Sequence, residues 1–389
     1  MANVKLSNVI RRAQTKVDKD DTDLVFYVGG EHIESENIRV HSRGIIAEST
    51  IGPMFYYGFK AGDFLLVSRN PHLKKAGLVD FDGICSEKTF VLETANSDVL
   101  LPEFLPFVLQ NERFWDYAYR HRHGSTNTFI NWSTLANYEF ELPDLETQRK
   151  LAEVLWSIND TMEAYKNLIS ATDELVKSQF MELFSLSQAE SNGWSIVPVS
   201  SVVIKPLSGE WGQEDTDGTG VKVLRTTNFT DSGFIDYSEV VRRSIELKKV
   251  EAKALRDGDV LIEKSGGSDT KPVGRVVFYQ ETSENFLFNN FTALLRPNTP
   301  KLNSRFLFTF LFVTYWNGGT KLYENKTTGI HNLKLADYLD NTMIPIPPIE
   351  DQEVFAAFVR QSDKSKFELE QALVELNATY KRIIAENLG

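Results

Sequence analysis

A long segment with a helical apolar pattern occurs twice in this sequence, and the repeat constrains the fold more than any other feature. The first copy begins at Pro143 and the second at Pro347, a shift of 204 residues. The opening residues match without a gap: Pro143, Leu145, Glu146 and Gln148 correspond to Pro347, Ile349, Glu350 and Gln352. Internal repeats indicate repeated structural units. Whatever the first segment carries is therefore expected twice.

Both copies have the heptad spacing that aligns apolar side chains along one face of a helix. The first seam consists of Leu151, Leu155, Ile158, Met162, Tyr165, Ile169, Thr172 and Val176. The second consists of Phe355, Val359, Ser362, Lys366, Leu369, Leu373, Leu376 and Tyr380, and its two polar members interrupt the apolar pattern. About forty residues make a helix of roughly 60 Å, so we expect the two helices to pair, parallel or antiparallel, between two globular domains.

The globular regions repeat as well, which supports a duplicated architecture. FKAGDFLL at 59–66 corresponds to LRDGDVLI at 255–262, and each contains a Gly-Asp turn before a strand. Short β-type runs and helical spacing in each region predict an α+β fold of two mixed domains separated by two long helices. The predicted boundaries are 1–142 for the first domain, 143–190 for the central helix, 191–346 for the second domain and 347–389 for the last helix.

Charge and composition limit the class of protein. The chain has 389 residues, 42% of them hydrophobic, which is typical of a folded protein with two ordinary cores. No run of eighteen apolar residues predicts a membrane span and the first residues do not resemble a secretory signal, so the cytoplasm is the expected location. The net charge is -12, and more than half of that excess lies in the helical segments. A DNA-binding surface would therefore have to be local to the globular domains.

The sequence contains no motif that identifies a catalytic centre. Adenine methylation requires a glycine-rich cofactor turn and an Asn or Asp followed by two prolines and an aromatic residue. The nearest match is Asn70-Pro71-His72. No phosphate-binding loop is present, and one cysteine excludes a cysteine-based metal cluster. These observations favour a binding protein over an enzyme.

Two classes of polar loop recur in the two domains and are candidates for DNA contact. Basic and hydroxyl-bearing loops suited to phosphates contain Arg120, Arg122, Ser125, Thr126 and Asn127 in the first domain, and Lys326, Thr327, Thr328 and His331 in the second. Loops that differ between the domains, and so could read bases, contain Arg69, Asn70, Lys74 and Lys75 in the first domain, and Arg225, Thr226, Asn228, Lys264, Ser265 and Lys271 in the second.

Three features carry a resemblance to a known family: the two repeated segments that begin at Pro143 and Pro347, the two Gly-Asp turns, and the stretch Thr-Gly-x-x-Asn-Leu at 328–333. With these features, nearly the whole chain resembles the specificity subunit of type I restriction-modification systems. The resemblance implies two target-recognition domains that each read half of a split site in double-stranded DNA, with two antiparallel helices setting the spacing. It implies no catalysis and no cofactor on this chain. Two modification subunits would bind S-adenosylmethionine, and restriction subunits would use ATP and Mg²⁺.

The same resemblance implies a set of residues for the helix pair and subunit contacts. These are Gln148, Leu155, Ile158, Met162, Ile169, Gln352, Val359, Leu373 and Leu376. Two alternatives remain open from the sequence alone. One is a stand-alone methyltransferase or nuclease with unrecognised motifs. The other is a structural coiled-coil adaptor without sequence-dependent DNA binding.

Overall fold

The computed structural model describes residues 2–268, 270–280, 284–327 and 330–388, with only the backbone described at Thr327. The chain divides into two compact units, and neither coincides with a single predicted domain. The first unit contains the residues up to Lys166 together with those from Glu370 onwards, and the second contains Asn167–Leu369. Each unit therefore combines one globular domain with part of both long helices.

The first domain is built mainly from two four-stranded sheets. Its elements are β1 (Ala2–Lys5), α1 (Leu6–Val9), β2 (Ile10–Ala13), β3 (Phe26–Val28), β4 (Gly44–Ile45), β5 (Phe55–Phe59), β6 (Phe64–Val67), β7 (Ala76–Leu78), β8 (Gly83–Ser86), β9 (Thr89–Thr94), α2 (Leu105–Leu109), α3 (Glu112–Arg120), α4 (Trp132–Leu135) and β10 (Glu139–Leu142). The strand orders are β2-β9-β6-β7 and β4-β3-β8-β5, and β1 pairs with β10. The first long helix, α5, spans Leu145–Phe184.

The second domain repeats this plan. Its elements are α6 (Leu186–Asn192), β11 (Ser195–Pro198), α7 (Val199–Val202), β12 (Leu207–Ser208), β13 (Gln213–Glu214), β14 (Val221–Leu224), β15 (Val241–Ser244), α8 (Leu247–Lys253), β16 (Val260–Glu263), β17 (Ser265–Gly267), β18 (Val276–Phe278), β19 (Phe286–Phe288), β20 (Thr292–Leu295), α9 (Ser304–Trp316), β21 (Glu324–Thr327), β22 (Ile330–Leu333), α10 (Leu335–Asn341) and β23 (Met343–Ile346). The sheets are β12-β20-β16-β18, β13-β15-β14-β19, β17-β22-β21 and β11-β23. The second long helix, α11, spans Ile349–Leu388.

The Gly-Asp turns have the same geometry in both domains. Gly62 and Gly258 have φ of 94° and 84°, a left-handed conformation that favours glycine over residues with a Cβ atom. The following Asp accepts a hydrogen bond of 2.7 Å in each turn, from the backbone N–H of Lys60 and of Arg256. The turns thus start β6 and β16, the central strands of their sheets, in the same way.

Contacts within each unit show that α5 and α11 run antiparallel. In the first unit, Leu155 near the start of α5 shares a core with Ile384 and Leu388 at the end of α11. In the second unit, the ring of Phe180 near the end of α5 lies 5.5 Å from that of Phe355 near the start of α11. The seam residues are buried or half-buried along both helices. Among the described residues, no helix combines the length and apolar character that crossing a bilayer requires.

The polar interruption of the second seam is buried rather than solvent-exposed. Lys366 is 5% exposed, and its Nζ lies 2.6 Å from Asp173 on α5 and 3.2 Å from Asp363 on its own helix. A charged group at a seam position is stable only beside its partners, so one such pair can fix the register of two helices.

Gln148 and Gln352, which we predicted for the helix pair and subunit contacts, lie near the starts of α5 and α11, and their side chains bond to backbone groups outside the two helices. Both side chains are fully buried. Gln148 accepts a hydrogen bond from the backbone N–H of Leu101 and donates to the carbonyls of Val99 and Pro143. Gln352 makes the same three bonds with Asn303, Lys301 and Pro347. Each glutamine ties the start of a long helix to the loop before the domain's helices.

Candidate nucleic-acid interface

In the first domain, the two predicted loop classes lie side by side. The backbone of Phe129 forms isolated antiparallel β-bridges with Arg69 and with His123. The backbone N–H of Asn70 donates to the carbonyl of Thr128 (2.7 Å) and that of Ile130 to Ser68 (2.9 Å). Loops 68–75 and 120–130 therefore form one surface, which we call loop surface 1.

The second domain brings its loops together through a small sheet. β17 pairs with β22, with Ser265 opposite Asn332, and β22 pairs with β21, with Lys326 opposite His331. The backbone N–H of Leu333 donates to the carbonyl of Lys264 (2.8 Å), which matches the bond from Ile130 to Ser68. We call the described residues of loops 264–271 and 324–333 loop surface 2. Thr328 and the side chain of Thr327, both predicted DNA contacts, lie outside the described residues.

Several predicted contact residues are exposed on these surfaces. On loop surface 1 these are Arg69, Arg120, Ser125, Thr126 and Asn127. On loop surface 2 Lys326 and Lys271 are exposed and Ser265 is half-exposed. Lys271 pairs with Asp231 at 2.6 Å. Two cationic, hydroxyl-bearing surfaces thus occupy equivalent places in an acidic chain.

Lys264, the first residue of loop surface 2, is half-buried. Its Nζ donates to the hydroxyl of Ser208 at 2.8 Å. Burial, with a smaller contribution from the nearby charge of Lys253, lowers the pKa of Lys264. Its ammonium group is therefore incompletely solvated, and an added anion would compensate for part of that lost solvation.

Other predicted contacts are engaged within the first domain. Lys74 Nζ pairs with Glu36 (3.0 Å) and Glu112 (2.7 Å). Lys75 Nζ donates to the carbonyl of Gly30 at 2.6 Å. Arg122 is folded back, donating to the carbonyl of Tyr119 at 2.6 Å with its guanidinium 3.7 Å from that ring centroid. Asn70 is half-buried and has the left-handed φ of 50° that starts the turn at Pro71.

In the second domain, Asn228 and His331 hold loops rather than face outward. Asn228 is 3% exposed; its amide accepts from the N–H of Arg225 and donates to the carbonyls of Asp236 and Glu239. His331 is 5% exposed, with Nδ1 3.0 Å from a carboxylate oxygen of Glu324. Both side chains lie on the protein side of their loops. There the groups named above replace the hydrogen bonds to water that are lost on burial.

The turn at Gly29–His32 is a functional candidate that the sequence analysis missed. In parallel pairing, Val28 lies opposite Cys85 and Leu224 opposite Phe288, so the turns that follow these strands are equivalent. The N–H of Gly29 donates to the His32 ring (2.9 Å), just as the N–H of Arg225 donates to the Asn228 side chain (2.8 Å). The two Gly-Asp turns, at Gly62 and Gly258, are 196 positions apart, and the residue 196 positions before Arg225 is Gly29. This offset would have identified the turn from the sequence.

The first unit also contains a hollow of about 560 Å³ between its domain and the helix segments. Its wall includes seam and polar residues of the long helices, Asn159, Met162, Leu373, Asn377, Tyr380 and Lys381, with Glu36 and Lys74 at the domain side. Lys74 and Lys381 both pair with Glu36. The predicted DNA contact Lys74 thus belongs to this hollow.

A second set of apolar side chains on the long helices is exposed. On α5 these are Val154, Leu168, Leu175, Met181 and Leu183, and on α11 they are Val354, Phe367 and Val374. Leu168 and Leu175 on α5 are seven positions apart, as are Phe367 and Val374 on α11, a heptad separation distinct from the buried seam. Exposed apolar groups in such a row indicate a surface that another helix can cover.

Comparison with known proteins identifies relatives over both halves of the chain. The family model described as the type I restriction modification DNA specificity domain matches residues 11–171 and 217–377. The HindI specificity subunit of Haemophilus influenzae is 25% identical over 169 residues, which are 40% of this chain and only 37% of that relative. The MjaIX specificity subunit of Methanocaldococcus jannaschii is 20% identical over 83% of this chain and 72% of its own length.

A solved structure has a similar fold. The S subunit of a type I restriction-modification system from M. genitalium aligns with 100% of this chain and 96% of its own, with a TM-score of 0.60 and 13% sequence identity. At that identity the match concerns the fold alone. Together with the duplicated family match, it agrees with the two equivalent domains and the long helices described above.

Proposed function

This chain belongs to the family of type I restriction-modification DNA specificity subunits, and from that premise we propose that each of its two domains reads one half of a split site in double-stranded DNA. A specificity subunit recognises the DNA target and has no catalytic role of its own. The observation that carries the proposal is the equivalence of loop surfaces 1 and 2. The scaffold beneath them is duplicated, whereas the loops differ, as two half-sites of different sequence require.

Within each surface we assign two kinds of contact. Arg120, Ser125, Thr126, Asn127 and Lys326 would bind phosphates, where contacts set affinity and orientation but carry no sequence information. Arg69, Ser265, Lys264 and Lys271 would approach base edges, as would Thr226 on the separate turn 225–228. Neither kind of contact is assigned to five other residues that we predicted to bind DNA: Asn70, Arg122, Arg225, Thr327 and Thr328. Lys74, Lys75, Asn228 and His331 are left out of direct contact because their side chains are engaged inside the protein.

The long helices would set the distance between the two half-sites and bind the partner subunits. The exposed apolar pairs Leu168 and Leu175 on α5, and Phe367 and Val374 on α11, support this, because each pair offers a partner apolar side chains to cover. We propose two modification subunits, which bind S-adenosylmethionine, and restriction subunits that use ATP and Mg²⁺. The assembled complex would act in the cytoplasm.

The assignment is tested by measuring DNA affinity of the complex with modification subunits on cognate and random duplexes over a range of salt concentrations. Arg120→Ala should weaken binding to both duplexes equally and reduce the salt slope by about one. Lys264→Ala should cost about 1 to 3 kcal/mol on the cognate duplex only. Lys60→Ala, which removes an exposed charge at the Gly62 turn, is the control. Equal losses on both duplexes for the Arg120 and Lys264 variants would refute the division.

A further inference from the structure

Lys75 and Arg275 occupy the same position in the two domains. Each lies just before the strand that pairs antiparallel with the central strand, β7 with β6 and β18 with β16. The carbonyl of Lys75 accepts a bond from the N–H of Val67 (3.0 Å), and that of Arg275 accepts one from Glu263 (2.9 Å). The loops of the two domains differ, but both domains have a cationic side chain at this position. The two side chains are therefore expected to have the same role.

That role is visible in what the two cations bind. Lys75 Nζ donates to the carbonyl of Gly30. Arg275 Nη2 donates to the carbonyl of Thr226 at 3.1 Å, and Nη1 donates to that of Phe229 at 3.0 Å. Gly30 and Thr226 are equivalent, because each is the second residue after the strand β3 or β14. The same backbone oxygen of the same turn is therefore held by a cation in both domains.

The second domain strengthens this bond with a buried carboxylate. Glu263 is 1% exposed and receives two hydrogen bonds from the Arg275 guanidinium, at 3.1 and 3.0 Å. The Arg275 side chain is only 13% exposed. Val67 occupies the position of Glu263 in the first domain, so Lys75 acts there through a single bond. A lysine suffices for one carbonyl, whereas two carbonyls and a carboxylate require the planar fork of an arginine.

The held turns lie beside the loops proposed to read bases. In the second domain, a Cβ atom on Gly266 would lie 3.0 Å from Glu263 Oε1 and 3.9 Å from the Thr226 hydroxyl, so loop 264–271 and turn 225–228 are in contact range. In the first domain, Ser35, just after turn 29–32, forms a bridge with Lys75. The turn tips Glu31 and Thr227 are both exposed and differ in chemistry.

We propose that Lys75 and Arg275 are positioning residues for sequence recognition: each fixes a divergent turn, 29–32 or 225–228, against the loop surface of its own domain. This rests on the proposed function of loop surfaces 1 and 2. Neither cation touches DNA. Each acts through the turn, whose side chains contribute to the reading of one half-site.

The test measures discrimination: the affinity of the complex with modification subunits for the cognate duplex, divided by its affinity for duplexes altered in one half-site. Lys75→Met should reduce discrimination roughly tenfold in one half-site, the size of one lost base contact, and leave the other half-site unchanged. Lys75→Arg, which retains a donor, should restore it. Lys60→Met removes the same charge from the same domain and should have no effect.

In the second domain, Arg275→Met leaves Glu263 buried without a counterion and could prevent folding. The pair Glu263→Val with Arg275→Lys, which copies Val67 and Lys75, avoids this and should keep discrimination within about threefold of wild type. Glu263→Val with Arg275→Met should lose it roughly tenfold, in the other half-site only.

The outcomes separate the two proposals. A wild-type complex that binds cognate and random duplexes equally would overturn the proposed function. If wild type discriminates but the Lys75→Met and Glu263→Val/Arg275→Met variants lose only thermal stability, with unchanged discrimination in both half-sites, the cations are merely structural and the positioning role is wrong.

Discussion

The two units solve the same packing problem differently where α5 meets α11. Under the 204-residue repeat, Met162 in the first unit corresponds to Lys366 in the second, and Asn377 to Asp173. In the first unit these positions line an open hollow. In the second, the Lys366 ammonium lies between two carboxylates and 4.8 Å from the ring centroid of Phe234. A neutral seam can border a hollow, whereas a charged seam under an aromatic ring needs internal counterions.

A second ion pair strengthens the contrast. Arg305, 5% exposed, pairs with Asp363 at 3.1 Å and lies 3.8 Å from the ring centroid of Phe278. Burial raises the pKa of Asp363 and lowers that of Arg305. Burial therefore opposes the charged form of both side chains. Each side chain stays charged because the other is present. The stability of the second unit rests on complete charge pairing to a greater extent than that of the first.

The largest expected effect comes from removing the Lys366 charge. Lys366→Met should destabilise the second unit by about 3 kcal/mol, because Asp173 loses its counterion in a largely buried site. Adding Asp173→Asn, which reproduces Met162 and Asn377, should recover at least half of the loss. Hydrogen exchange of amides in the second unit measures both. A double variant as unstable as the single one would show that the charge pair is not what distinguishes the units.

A smaller effect should be equal in the two units. Gln148→Leu and Gln352→Leu each remove three hydrogen bonds from backbone groups, and each should cost about 2 to 3 kcal/mol. Gln371→Leu, at an exposed site on α11, is the control. Denaturation followed unit by unit would test the equivalence, which fails if one glutamine can be replaced without loss.

The smallest expected effect concerns Glu36 at the hollow. The hydrogen bond from Lys74, more than any other interaction, holds the pKa of Glu36 below its ordinary value of 4.5. A lowered folded-state pKa stabilises the ionised form, so this stabilisation is present above pH 4.5 and is lost as the pH falls through the folded pKa. Glu36→Gln should cost less than about 1 kcal/mol at neutral pH, since the group is half exposed. A difference from wild type that did not shrink as the pH fell below 4.5 would contradict the assignment.

The sequence predicted the fold better than the roles of single polar residues. Periodicity and the 204-residue repeat identified both long helices, and the Gly62 and Gly258 turns identified the duplicated domains, because these features depend on local pattern. The central segment predicted at 143–190 is divided, since Ser185 caps α6 by accepting a bond from the N–H of Gln188. That cap lies within an otherwise helical run and is hard to distinguish from an exposed serine.

Polar residues were misjudged where tertiary contacts decide their environment. Glutamine is a residue type usually found at the surface. The burial of Gln148 depends on backbone groups some fifty positions earlier in the chain. Asn228 and Lys75 have side chains suited to DNA, but they bond to nearby carbonyls once the loops fold. Lys366 interrupted an apolar pattern, and only the opposite helix shows that it is paired. Local sequence carries little information about such partners.

The antiparallel helices also determine the order in which the protein can fold on the ribosome. Leu155 shares its core with Ile384 and Leu388, and the ring of Tyr380 lies 6.3 Å from that of Phe107. At about 5 to 20 residues per second, synthesis separates Leu155 from Ile384 by roughly 10 to 45 s. The first domain to emerge is thus among the last to be completed. Until α11 arrives, a nascent chain exposes the apolar face that α11 will cover, which makes it a substrate for chaperones and proteases.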